Sequence, residues 1–305
     1  MAGNPKPRLL ITGGSSYLGQ HLVPLASRTH EVLYTYFSQN PLVQDSLAGV
    51  QGRSLDILDR QATLALVAAW KPASIIHTAG SNRSPNMRSV IEQGASNIRD
   101  AAAAVNARLI HLSTDVLFDG NHAPYQEEDP PNPIHDYGRA KAESEKIVAA
   151  YPNHIIVRTS LIYGLDKTDH AAAWLIQGLE AGQPITLFTD QLRNPVWVWT
   201  LSRALLELVA LPYRGILHVT GRQSLSRAEF GVRLLDFHRI QNRSTLRFGL
   251  GDPARWPSDV RLDVSRAVAL LQTPLWGVDR VLQWAADRSS SGGFPLDIPE
   301  DMLHP

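Results

Sequence analysis

The stretch "RLLITGGSSYLGQHLVPLAS", residues 8–27, constrains the fold more than any other part of the chain. An apolar run stops at two glycines, and apolar residues then recur at helical spacing. That order describes a buried strand, a tight turn and an amphipathic helix, with Pro24 an awkward residue inside it. Further apolar runs follow at 30–36, 74–80, 108–114 and 154–160, and helical patterns at 60–72, 88–107 and 136–151. The strands are almost continuously apolar, as a parallel sheet covered on both faces requires.

The expected fold class is therefore α/β, a Rossmann doubly wound parallel sheet with a smaller C-terminal substrate-binding lobe. Residues 1–164 form the sheet domain, with returning segments at about 192–221. Residues 165–191 and 222–287 form the lobe, with helices expected at 170–182 and 226–240, the latter capped by Ser224 or Ser226, and a helix at 200–211 in the returning segment. The acidic, Pro-rich segment 119–136 reads as a long ordered loop, and 288–305 as a tail.

Net charge is zero, with 29 Lys and Arg against 29 Asp and Glu, which favours neither nucleic acid nor an anionic membrane. The absence of Cys excludes disulfides, thiolate metal sites and a Cys nucleophile. No signal-peptide pattern and no run of about 18 apolar residues occurs, so a cytoplasmic protein is expected. The eleven His show no metal-ligand spacing, so no metal is expected. His77 and His111, in apolar strands, read as satisfied core histidines.

The turn "TGGSSYLGQ", residues 12–20, has the context of a dinucleotide site. Glycine lets the backbone approach a pyrophosphate, and the helix N-terminus offers free N–H groups. A P-loop fails, because Gln20 and His21 stand where its Lys and Ser/Thr would be. The second strand ends "YTYFSQN" without the acidic residue that selects NAD, so Ser38, Gln39 and Arg53 favour the 2′-phosphate of NADP, with NADH an alternative. Asp56 either receives the adenine or caps the helix starting near Arg60.

The helix beginning "DYGRAKAESEK" places Tyr137 and Lys141 on one face. A nearby ammonium favours a phenolate and would lower the Tyr137 pKa toward neutral. Such a Tyr exchanges a proton with a substrate oxygen. A hydroxyl at the end of the preceding strand, Ser113 or Thr114, would hold a carbonyl oxygen. The alternative is a solvated helix face, with Glu143, Glu145 and Lys146 nearby.

These features, with "STDVLFDG" (113–120), "PYQEEDPPNP" (124–133), "VRTSLIYG" (157–164), "DQLRNP" (190–195) and "LDVSRA" (262–267), resemble the extended short-chain dehydrogenase/reductases. More narrowly they resemble the dTDP-4-dehydrorhamnose reductase group, over about residues 7–285. The resemblance implies hydride transfer from NADPH or NADH to C4 of a nucleotide-linked 4-keto-6-deoxy sugar. It implies that Tyr137 is the proton donor, that Lys141 tunes it and binds the nicotinamide ribose, and that Thr114 holds the keto oxygen. It implies a cofactor site at Gly13, Ser15, Ser16, Tyr17, Leu18, Gly19, Ser38, Asp56, Ile57, Thr78, Ala79 and Gly80, together with Tyr137 and Lys141. It implies a substrate site at Ser113, Asp115, Val116, Leu161, Arg193 and Arg255, the two arginines toward phosphate.

Ser16 replaces the middle glycine of the nucleotide motif, and Ile91 replaces the usual Asn of the fourth helix. Val116 and Leu161 replace aromatics of the group, and Val116 also stands where a dehydratase carries an acid. The pattern is similar, too, to the regulatory β subunit of methionine adenosyltransferase, so an NAD(P)-binding regulatory protein stays open, as does a sugar epimerase. Relatives often dimerise through helices beside the active site, so a homodimer stays open as well.

Overall fold

A computed structural model describes residues 5–40, 42, 49–80, 86–165 and 170–289. Of the tail expected at 288–305, residues 290–305 lie outside the described residues, and 288–289 close the last helix. The first elements are β1 (Arg8–Thr12), α1 (Tyr17–Ser27), β2 (Glu31–Tyr36), β3 (Val50–Ser54), α2 (Arg60–Trp70), β4 (Ser74–His77), α3 (Met87–Ala104), β5 (Arg108–Thr114), α4 (Asp136–Ala149) and β6 (His154–Thr159). A 3₁₀ turn, Asp115–Leu117, follows β5. Then come β7 (Ile162–Tyr163), α5 (His170–Glu180), β8 (Ile185–Phe188), β9 (Leu192–Arg193), β10 (Val196–Trp197), α6 (Val198–Ala210), β11 (Gly215–His218), β12 (Leu225–Ser226), α7 (Arg227–Phe237), β13 (Leu246–Gly249), α8 (Ser265–Leu270) and α9 (Val278–Ser289).

Seven strands form one sheet in the order β11-β6-β5-β4-β1-β2-β3. The pairs β1–β2, β1–β4, β2–β3 and β4–β5 are parallel, with Leu9 opposite Val32 on one side and Ser74 on the other. The chain leaves β1 toward β2 and β3, then returns to β4 on β1's other side. That reversal puts a topological switch point at the carboxyl ends of β1 and β4, the usual ligand crevice of such sheets. One core cluster joins Leu10, Ile75 and Leu109 of the sheet to Ile98 and Ala102 of α3 and Val148 of α4. Each buried branched side chain of this kind contributes roughly 1.5–3 kcal/mol.

Local chemistry sets the helix ends. Asp59 caps α2 by accepting from Ala62 N, and Lys71 closes it at φ 51° just before Pro72. Ser226, rather than Ser224, caps α7 in a reciprocal box with Glu229. Pro24 lies inside α1 without ending it.

The described residues fall into two compact units. The first takes residues up to Leu117, Asp136–Arg158 and Ser202–Leu217, and the second takes Phe118–His135, Thr159–Leu201 and His218 onward. The returning segment is thus shorter than 192–221, and the loop 118–135 joins the second unit. Its ties explain this: Phe118 stacks on Tyr125 at 4.0 Å, Tyr125 N donates to Arg261 O at 2.8 Å, and His218 N donates to Glu127 at 3.2 Å. The second unit has its own core of Leu175, Leu179, Ile185, Leu187, Ala228 and Leu235. Its pairings β7–β10 and β9–β12 involve two-residue strands, too short to leave an alternating pattern. Among the described residues no helix is long and apolar enough to cross a membrane.

Candidate active site

The turn after β1 is built around backbone. Gly13 has φ +75°, and a Cβ there would meet Thr78 Oγ1 at 2.8 Å and Ala79 N at 3.0 Å. A Cβ on Gly19 would stand 2.5 Å from Gly13 O. The end of β4 is held against this turn, since Thr78 Oγ1 donates to Thr12 O at 2.7 Å. Ser16, the departure from the glycine motif, is extended (φ −69°) and caps α1 by accepting from Gly19 N at 3.0 Å. The position therefore needs a capping hydroxyl and no left-handed backbone. Of its neighbours, Leu18 is buried, Tyr17 packs its ring 4.8 Å from His21, and Ser15 O accepts from Gln20. Bare backbone at a helix N-terminus fits a dinucleotide's phosphates.

At the carboxyl ends of β2 and β3, Ser38 and Gln39 are exposed, and Thr35 faces Arg53 in the register. The exposed Arg53 rests on Gly52 O and Gln51. Asp56 does not cap α2. It accepts from Leu58 N at 2.9 Å, and Asp59 is the cap. The buried Ile57 lies beside Gly94, and Asn97 of α3 holds the loop by donating to Ile57 O at 2.8 Å. Ile91, also on α3, is buried against Gly80, and Ala79 and Gly80 remain half-buried at the end of β4.

β5 and α4 bring Thr114, Tyr137 and Lys141 into the first unit. Tyr137 is half-buried and Lys141 fully buried. Lys141 Nζ donates to Leu112 O at 2.6 Å. Burial lowers the ammonium to about 8, against the opposing pull of Glu145. The expected lowering of Tyr137 is corrected: burial first, then the negative charge of Asp115, pushes its phenol up to about 12. Thr114 Oγ1 donates to Asp115 at 3.3 Å and accepts from Val116 N at 3.4 Å, and Asp115 is buried.

Ser113 behaves differently from its neighbour. Its hydroxyl proton goes to Glu145 Oε1 at 2.5 Å, a much shorter bond than the 3.3 Å from Thr114 to Asp115, so Ser113 is the less available donor to a carbonyl oxygen. Glu145 in turn pairs with Arg158 of β6 at 2.9 Å, with both side chains buried. Sequence reading passed over this pair, although Tyr137, Lys141 and Glu145 recur at intervals of four, on one helix face. His77 and His111 are core histidines, stacked at 5.2 Å and kept neutral by burial, His77 at about 3. Each makes one ring hydrogen bond, to Thr12 and Ser144, and leaves His77 Nε2 and His111 Nδ1 unpaired, so they are only half satisfied.

The second unit holds Leu161, Arg193 and Arg255. Leu161 O accepts from Val196 N at 2.8 Å, and Arg255 is exposed. Arg193 is buried, with its guanidinium donating to Leu192 O at 2.9 Å, Pro257 O at 3.1 Å and Ser258 O at 3.3 Å. Its donors hold the chain at 257–258, which corrects the expectation of an arginine reaching for phosphate. Among the described residues no group of three or more His, Asp or Glu is placed to hold a metal.

The model of the RmlD substrate binding domain family matches residues 7–286. The chain belongs to this family. It is a dTDP-4-dehydrorhamnose reductase-like member of the extended short-chain dehydrogenase/reductases. A dTDP-4-dehydrorhamnose reductase of Streptomyces griseus is 30% identical over 97% of this chain and 95% of its own length. The methionine adenosyltransferase 2 subunit beta of Bos taurus is 28% identical over 87% and 83%. Among solved structures, a hypothetical dTDP-4-dehydrorhamnose reductase from Sulfolobus tokodaii is 28% identical with a TM-score of 0.77, covering 90% of this chain and 98% of that one. A Bacillus anthracis dTDP-4-dehydrorhamnose reductase in complex with NADP shares the fold, with a TM-score of 0.75 at 24% identity over 93% and 98%.

Proposed function

We propose that this RmlD-family chain is an NAD(P)H-dependent reductase of a nucleotide-linked 4-keto-6-deoxy sugar, with NADPH preferred. One observation carries the reading. A single unit holds the bare glycine turn at the head of the sheet and, on the neighbouring β5 and α4, Thr114, Tyr137 and Lys141. Gly13 and Gly19 admit the pyrophosphate to the backbone, and Thr78, Ala79 and Gly80 line the same crevice. Ser38 and Arg53 receive the 2′-phosphate. The nicotinamide supplies the hydride. Thr114 donates to the keto oxygen, and Tyr137 gives that oxygen its proton as it becomes a hydroxyl. Lys141 binds the nicotinamide ribose, and its ammonium stands one helical turn from the Tyr137 phenol that supplies the proton. Arg255, exposed, is the arginine left with donors for a phosphate.

The direct test is hydride transfer from NADPH and from NADH across a panel of nucleotide 4-keto sugars. Turnover of at least one, faster with NADPH, is expected. Equal or tighter binding of NADH would overturn the NADP preference. The likeness to the methionine adenosyltransferase subunit supports a second reading, a regulatory protein that holds the cofactor and turns over no carbonyl. Tight cofactor binding without turnover of any carbonyl, an epimerisation assay included, would favour it.

A further inference from the structure

The reduction proposed above leaves three buried residues unused. Arg158 Nε and Nη2 donate to both oxygens of Glu145, at 3.1, 3.2 and 2.9 Å, and Ser113 adds its hydroxyl at 2.5 Å. The two charged side chains are 1% and 5% exposed. Apolar groups of the same size generally stabilise such a depth as well or better, so stability alone is a weak reason for the pair. Its location supplies a stronger one. Glu145 lies one helical turn beyond Lys141, and Lys141 one turn beyond Tyr137. Ser113 immediately precedes Thr114. Leu112 O receives the Lys141 ammonium at 2.6 Å while Ser113 holds Glu145. Two consecutive residues of β5 therefore grip two successive turns of α4.

We propose that Glu145, clamped by Ser113 and Arg158, is the positioning residue of the Tyr137–Lys141 pair: it keeps the buried Lys141 ammonium charged and fixes the rotation of α4 against the end of β5. This deepens the reductase reading and rests on it for the roles of Tyr137 and Lys141. Burial takes Lys141 down to about 8, and the Glu145 carboxylate is the charge that resists. From β4 and β5 the imidazoles of His77 and His111 face Lys141, both held neutral by burial. From the turn after β5, Asp115 acts on Tyr137. From β6 comes Arg158. On α3, which packs on α4, the ionised side chains of Arg88, Glu92, Arg99 and Asp100 are not buried, and they pair with one another or with Arg60. Glu145 is thus the buried anion that sets the charge of Lys141.

The chain has five lysines, at 6, 71, 141, 146 and 167, so lysine-selective NMR of the full-length protein resolves the Lys141 ε-methylene. In the wild type it should titrate near 8. In Glu145→Gln it should titrate about one pH unit lower, a tenfold change in the ionisation ratio. That variant removes the carboxylate charge opposite the buried Arg158. Should it fail to fold, Glu145→Gln/Arg158→Met removes both charges, and Lys141 should still titrate lower, by a smaller step. An unmoved Lys141 titration in the folded variant overturns the proposal. Ser113→Ala keeps the ion pair and tests the grip. It should lower kcat severalfold, and Ser113→Thr should restore it. A wild-type kcat in Ser113→Ala, with only Tm lowered, would make Ser113 a packing residue and also overturn the proposal. The titration uses no carbonyl substrate, so its failure is separable from failure of the reductase reading, which the keto-sugar assay and Tyr137→Phe decide.

Discussion

Two buried cations, one in each unit, meet main-chain carbonyls with opposite consequences. Lys141 and Arg193 are 4% and 3% exposed. Lys141 donates to a single carbonyl, Leu112 O, and keeps an ammonium whose charge is contested by burial. Arg193 spreads its fork over the carbonyls of 192, 257 and 258 and holds its own chain in place. A planar guanidinium with five donors is readily satisfied by backbone. A compact ammonium shifts its pKa instead, and that makes it adjustable chemistry. Burial alone therefore does not mark a functional cation; what matters is whether the fold has already absorbed its donors.

The largest effect should come from the residue Lys141 serves. Tyr137→Phe should cut kcat by about 10²–10⁴ while cofactor affinity stays, checked by steady-state kinetics and fluorescence titration. Undiminished turnover would dissolve the contrast, leaving Lys141 as structural as Arg193. Next is Arg193→Met, which strands buried carbonyls and should lose roughly 2–4 kcal/mol in denaturant unfolding. A raised KM with intact stability would instead restore Arg193 to the substrate.

Lys141→Met should show the reverse sign. The Lys141 folded-state value lies below its ordinary 10.5, so the ammonium opposes folding fully below about 8, and that opposition fades as pH rises from 8 toward 10.5. The variant should therefore be more stable by on the order of 1–3 kcal/mol at pH 7, with the gain shrinking across that window in thermal melts, while turnover is lost. A pH-independent difference would show that its charge is not strained by burial. The smallest effect on stability belongs to the exposed Arg255. Arg255→Ala should stay within about 0.5 kcal/mol of wild type while raising KM for a nucleotide sugar. An unchanged KM would leave neither arginine of the second unit at the substrate.

Much of this molecule could be read from its residues. The Rossmann sheet showed in the near-continuous apolar strands, and the expected bounds of β5, 108–114, are those observed. The paired Tyr137 and Lys141 were visible because helical spacing is local. The division of the loop 118–135 was not, since its ties run to Arg261 and His218, far along the chain. That Asp59 rather than Asp56 caps α2 was not legible, because both stand just ahead of the helix and only backbone direction chooses.

What the sequence by itself determined is the order of elements, the glycine turn and which residue types can carry proton and hydride chemistry, all consequences of periodicity and side-chain identity. Tertiary structure alone decided where those side chains direct their donors. Ser113 and Thr114 are adjacent hydroxyls on one strand, yet the pleat sends one into Glu145 and leaves the other at the strand end beside Asp115. Arg193 and Lys141 are both cations in a motif, yet each has a partner far along the chain, 64 and 29 positions away. Hydrogen-bond geometry across such separations is set by packing, and no local pattern encodes it.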